Sequence, residues 1–95
     1  MIEIRRTENG FSVKGHAGYA PHGQDIVCAA VSALVQTFFA SVKELTTDEI
    51  KADMAAGNAV IQYWNLSKEA QLLVDSFFIG IHMIADDYPD FVRIV

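Results

Sequence analysis

The spacing of the apolar residues changes at Asp25 and changes again near Glu49, and these switches constrain the fold more than any other feature of the chain. Ahead of the first switch, Ile2 and Ile4 alternate with Glu3 and Arg5, and Phe11 and Val13 alternate with Ser12 and Lys14, the period of two that strands show. From Asp25 the residues Ile26, Ala29, Ala30, Ala33, Leu34, Thr37 and Phe38 fall three and four apart, which predicts a helix reaching about Leu45. Strands are predicted again near Glu49 to Ala55 and Asn58 to Trp64, around the turn Ala56-Gly57-Asn58. Ser67 opens a second helix that extends to about Asp86, Pro89 closes it, and Phe91 to Val95 reads as a short last strand. The order ββαββαβ specifies an α+β fold, one mixed sheet with two helices packed against it. Glu8-Asn9-Gly10 is the first hairpin turn, with Asn and Gly supplying the positive φ of a primed turn.

At 95 residues there is room for a single domain, residues 1–95. Both helices carry apolar residues on more than one side, Val27, Val31, Val35 and Phe39 in the first and Val74, Phe77, Phe78, Ile81 and Ile84 in the second. One sheet face does not account for all of them, so a homodimer that buries the surplus is expected. Seven Lys and Arg against twelve Asp and Glu leave a net charge of −5, which disfavours direct contact with nucleic acid and suits a basic protein or peptide partner. The apolar segments are interrupted by Ser, Gln, Asp and His, so no membrane span is expected. Met1 to Arg6 lacks a secretory pattern. The single cysteine excludes an internal disulfide framework and a multi-cysteine metal site, which together point to a reducing, cytoplasmic setting with no metal or cofactor.

The segment with chemical content is Gly15-His16-Ala17-Gly18-Tyr19-Ala20-Pro21-His22-Gly23-Gln24-Asp25-Ile26-Val27-Cys28-Ala29-Ala30. If Asp25 caps the helix, Cys28 lies in its first turn, where unpaired N–H groups and the helix dipole favour the reactive thiolate. His16, at the end of the second strand, is placed to accept the thiol proton. The amides near Cys28 and Ala29 are candidates for an oxyanion hole. Bland readings stand beside these. A lone cysteine in an apolar helix is often inert core, and a strand-end histidine often only bonds backbone. His22 is a second candidate base or a loop residue, and His82 sits within the second helix. Gly18, Tyr19 and Gly23 belong to a loop that either simply turns or closes as a lid over bound peptide. Asp25 is an N-cap, with a role in orienting His16 as the secondary reading. Tyr63 and Trp64 read as core or interface, with substrate contact the minor alternative, and Phe38 and Phe39 read as core.

Gly15-His16-Ala17, the glycine-containing loop and Asp25-Ile26-Val27-Cys28-Ala29-Ala30-Val31-Ser32-Ala33-Leu34 resemble the ribosomal-processing cysteine protease (Prp) family, and the likeness in length and element order runs over essentially the whole chain. That resemblance implies a cysteine endopeptidase with Cys28 and His16 as its dyad. It also implies a homodimer, and a substrate that is the precursor of large-subunit ribosomal protein twenty-seven, from which a short N-terminal extension is removed. Two other classes compete. A noncatalytic module holding a ribosomal protein or assembly intermediate would keep Cys28 as a structural thiol, and a redox sensor would lack a resolving cysteine. Rapid alkylation of Cys28 separates the protease from the binder.

Overall fold

In the computed structural model, which describes residues 1–95, the two alternating stretches pair as an antiparallel hairpin, β1 (Ile2–Thr7) with β2 (Gly10–Lys14). Helix α1 (Ile26–Leu45) follows, then a second hairpin of β3 (Ile50–Ala55) and β4 (Asn58–Tyr63), helix α2 (Lys68–Asp87) and β5 (Val92–Ile94). The five strands form one sheet in the order β3-β4-β2-β1-β5, antiparallel except for the parallel pair β1 and β5. The ββαββαβ order and the mixed sheet bearing two helices are the architecture read from the period changes.

Register places Ile4 opposite Val13 and Phe11 opposite Ile61, so these side chains share one face of the pleat. Both helices lie on that face. Val27, Val31, Val35, Phe38 and Val42 of α1 and Ala70, Val74, Phe77, Phe78 and Ile81 of α2 complete the core. Phe11 is its centre: its ring stacks on Phe77 at 4.5 Å and meets Phe38 and Phe78 at 5.5 Å, joining sheet to both helices. The opposite face presents Arg5, Lys14, Lys51, Asp53, Gln62 and Arg93 to solvent, with a Glu3–Arg93 ion pair across β1 and β5.

The first hairpin turn is not the primed turn expected. Glu8 and Asn9 both keep negative φ, and the need for glycine falls on Gly10, where a Cβ would lie 1.9 Å from the Ile61 carbonyl oxygen. Nor are the helix residues picked out as surplus left uncovered. Val27, Val31, Val35, Val74, Phe77, Phe78 and Ile81 are buried within one chain, and Phe39 and Ile84 partly so. The helices pack against each other as well as on the sheet, with Gly80 admitting the Leu34 side chain, so each buries two sides. The large apolar residues left exposed are others, foremost Leu45 at the end of α1 and Leu72, Ile79 and Met83 on α2. Helix α1, with mean hydropathy 1.7 over its most apolar window, is long and apolar enough to cross a membrane by length and composition. Here its valine stripe is part of the core.

Candidate active site

Asp25 has extended backbone (φ −87°, ψ 98°), and its side chain closes the start of α1. Oδ1 accepts the N–H groups of Val27 at 3.0 Å and Cys28 at 2.9 Å, while Oδ2 accepts that of Tyr19 at 3.0 Å. The Cys28 amide, then those of Tyr19, Ala20 and Val27, hold the Asp25 carboxyl below the usual carboxylate range, against an opposing push from burial. One carboxylate thus caps the helix and ties down the loop ahead of it. The N-cap reading of Asp25 is the one its geometry matches; no bond joins it to His16.

Asp25 leaves the amides of Cys28 and Ala29 engaged. The Cys28 N–H is taken by Asp25 Oδ1, and the Ala29 N–H donates to the Asp25 carbonyl at 3.1 Å. Neither is free to serve as the oxyanion donor expected of it. The donor that does reach the sulfur is remote in sequence: the Ala17 N–H donates to Cys28 Sγ at 3.3 Å. Ala17 is buried at 3% exposure, while Cys28 is half-buried and free.

His16 leaves the end of β2 between two close backbone approaches. On one side, a Cβ on Gly15 (φ +100°) would lie 2.3 Å from the Met1 carbonyl oxygen, and the Met1 nitrogen donates to the His16 carbonyl at 2.6 Å. On the other, the imidazole rests on Gly57, the left-handed residue (φ +72°) of the β3–β4 turn. A Cβ there would stand 2.5 Å from Nε2 and 2.9 Å from Cε1. The Gly15 N–H donates to the Gly57 carbonyl at 2.9 Å, fixing strand end to turn.

Two hollows meet at Cys28. The first, about 270 Å³, runs between α1 and the second hairpin and is lined by His16, His22 and Cys28 with the apolar Val31, Val35 and Met54. The second, about 580 Å³, lies under the loop and adds Gly18, Gly23, Gln24 and Asp25 to His16, His22 and Cys28. His16 and Cys28 therefore border the same space, although no hydrogen bond joins imidazole to sulfur. His22 is on the same rim, and His82 is exposed on α2. Gly18 (φ +70°) and Gly23 (φ +87°) turn the loop with open space around them. Tyr19 points elsewhere, its ring set edge-on to Tyr88 at 5.6 Å and Phe91 at 5.2 Å, an anchor for the loop. Trp64 is partly exposed beside Lys51, and Tyr63, Phe38 and Phe39 belong to the core or its margin. No group of His, Cys, Asp and Glu is arranged to hold a metal ion. Sequence reasoning missed Gly57 and the Ala17 amide, since a turn glycine and a backbone N–H show no sign of the partner that folding brings to them.

Comparison with known proteins bears on what this arrangement does. A family model described as cysteine protease Prp matches residues 1–93. The ribosomal processing cysteine protease Prp of Bacillus subtilis (strain 168) is 30% identical over 102 residues, covering 96% of this chain and 91% of that protein. The protein of the same name from Mycoplasma genitalium is 27% identical, covering 99% and 94%. Among solved structures, the Staphylococcus aureus ribosomal processing protease Prp with a covalently linked product peptide superposes with a TM-score of 0.88 at 23% identity, over 98% of this chain and 94% of that one. The same protease with a substrate peptide gives 0.83 at 22% identity, over 99% and 95%.

Proposed function

The chain belongs to the Prp family of cysteine proteases, and from that premise we propose that it cleaves a ribosomal-protein precursor with Cys28 as nucleophile and His16 as general base. The observation that carries the residue assignment is the meeting of both side chains at one opening, where two hollows that both include Cys28 and His16 offer room for an extended peptide. The apolar hollow along Val31, Val35 and Met54 suits apolar side chains of an extended peptide.

In this reading the substrate enters extended, and the imidazole turns from its Gly57 seat to take the thiol proton. Catalytic hydrogen bonds commonly tighten only once substrate is bound. The thiolate attacks the scissile carbonyl, His16 returns its proton to the leaving amine, and water, with the same base, hydrolyses the thioester. The substrate class follows the relatives, which are named for ribosomal processing. Its finer identity, the extended precursor of large-subunit ribosomal protein twenty-seven, is part of the proposal, as are a cytoplasmic location, a homodimer and the loop Gly18, Tyr19 and Gly23 as a substrate cover.

The test is incubation with a synthetic peptide carrying the host's own ribosomal-protein N-terminus, read by mass spectrometry. Cleavage at one bond by the native enzyme and none by Cys28→Ala, with His16→Ala close to inactive and both variants folded by circular dichroism, is the expected result. Full processing by folded Cys28→Ala would overturn the assignment.

A further inference from the structure

The capping of α1 leaves a cysteine protease without its usual source of oxyanion donors, because the Cys28 and Ala29 amides already have acceptors in Asp25. A transition state that gathers negative charge on sulfur and then on oxygen needs a donor fixed beforehand at that point. One N–H is directed there. The Ala17 amide lies 3.3 Å from Cys28 Sγ, on a residue at 3% exposure. Its segment is held at both ends: the Met1 nitrogen donates to the carbonyls of His16 at 2.6 Å and Ala17 at 3.5 Å, and the Tyr19 N–H is fixed on Asp25 at 3.0 Å.

We propose that the backbone N–H of Ala17 is the anion donor of the reaction, directed at the Cys28 sulfur at rest, bonding its thiolate once His16 has taken the proton, and then the substrate's carbonyl oxygen in the tetrahedral intermediate. The inference rests on Cys28 being the nucleophile. As the sulfur lone pair forms the bond to the carbonyl carbon, the carbonyl π pair moves to oxygen and the charge leaves sulfur. The oxygen now lies one bond from the carbon that sulfur holds, within reach of the same N–H, which passes from one anion to the other without leaving its place. On collapse the pair returns to rebuild the carbonyl as the thioester, the carbon–nitrogen bond breaks, and the leaving amine takes the proton that His16 removed from the thiol. The residue following the base thereby supplies the donor, so that one short segment, His16-Ala17, delivers both groups.

A backbone donor is tested by replacing the amide with an ester. The chain's one cysteine is Cys28 itself, so a synthetic thioester of residues 1–27 can be ligated to recombinant 28–95 at Val27–Cys28 without a scar. Three ligated enzymes are compared: all-amide, ester at His16–Ala17, and ester at Glu8–Asn9, in the exposed first hairpin turn away from the site, as a control for the chemical change. The expected result is a fall in kcat of about 10²-fold with KM unchanged for the His16–Ala17 ester alone. Iodoacetamide alkylation of Cys28 at neutral pH slows as well, while the thermal midpoint matches that of the control ester. Equal kcat and alkylation rates for the two esters would overturn the proposal. Inactive Cys28→Ala beside that equality would leave the nucleophile assignment standing and remove only the donor. Active Cys28→Ala would remove both.

Discussion

At the scale of single residues, Asp25 carries the most consequence for its size, since one oxygen serves the helix and the other the loop. Asp25→Asn separates the two roles. Asparagine caps helices about as well as aspartate, so its carbonyl oxygen keeps the Val27 and Cys28 amides, but its NH₂ cannot accept from Tyr19. Amide exchange should therefore speed up at Tyr19 and stay slow at Cys28, with kcat/KM lowered through the loosened loop; protection retained at both sites would contradict the division. The same residue sets an acid limit. Its carboxyl is held below the ordinary value in the folded state, so the stability it contributes is complete above the unfolded carboxylate range, about pH 4, and is lost as pH falls through the lower, folded value. Acid melts should converge for native protein and Asp25→Asn below that range and diverge above it. Much at this scale was legible. An Asp three places before a cysteine at the opening of an apolar period announces a cap, and the cap fixes Cys28 in the first turn. The accompanying expectation of free amides at Cys28 and Ala29 failed at the same residue: Asp25 takes the first with its side chain and the second with its main-chain carbonyl.

Between elements, the β3–β4 hairpin acts as a seat for a side chain of β2. Gly57 is the residue of that turn with left-handed φ, and its missing side chain makes room for the imidazole of His16. Gly57→Ala suffers both the backbone strain and the clash, whereas Gly57→Asn tolerates the left-handed φ but still brings a Cβ to 2.5 Å from Nε2. If the seat matters, both variants lose activity through kcat by about 10²-fold, the scale of a 1 Å misplacement, and Asn keeps the higher melting temperature. Full kcat in Gly57→Asn would show that the contact is incidental. The second helix depends on a different joint. Ser67 Oγ accepts the Ala70 N–H at 3.2 Å and donates to Asp48 at 2.6 Å, so Ser67→Ala should cost about 1 kcal/mol in chemical denaturation. The elements themselves were readable because period two and period 3.6 do not mimic each other over runs of this length. What they bring together was not: Gly57 beneath His16 and Tyr19 on Tyr88 and Phe91 are contacts between segments far apart in the chain, and Ala17 against Cys28 joins the two ends of an irregular loop, none with a periodic trace.

For the molecule as a whole, the sides of the helices sorted differently from the simplest count. Val27, Val31 and Val35, with Phe77 and Ile81, satisfy the chain's own sheet; Ile26 and Leu45 are exposed at the two ends of α1, and α2 keeps a narrower row, Leu72 at 69%, Ile79 at 64% and Met83 at 63% exposure. These positions stand seven and four apart, on one side of the helix. A second copy is the occupant proposed for this row, because a two-fold axis set against a helix face pairs the row with itself. Each chain carries a net charge of −5, so two copies repel at long range while the apolar row attracts at contact. Association should consequently strengthen as salt rises from 10 mM to about 150 mM and the Debye length contracts from about 30 Å to about 8 Å. Light scattering should give a mass near twice 10.5 kDa for the native protein. Ile79→Glu should reduce it to a single chain, with the circular dichroism spectrum kept because that side chain contributes little to the monomer core. A native protein that scatters as one chain at micromolar concentration and 150 mM salt would leave Leu72, Ile79 and Met83 without this role.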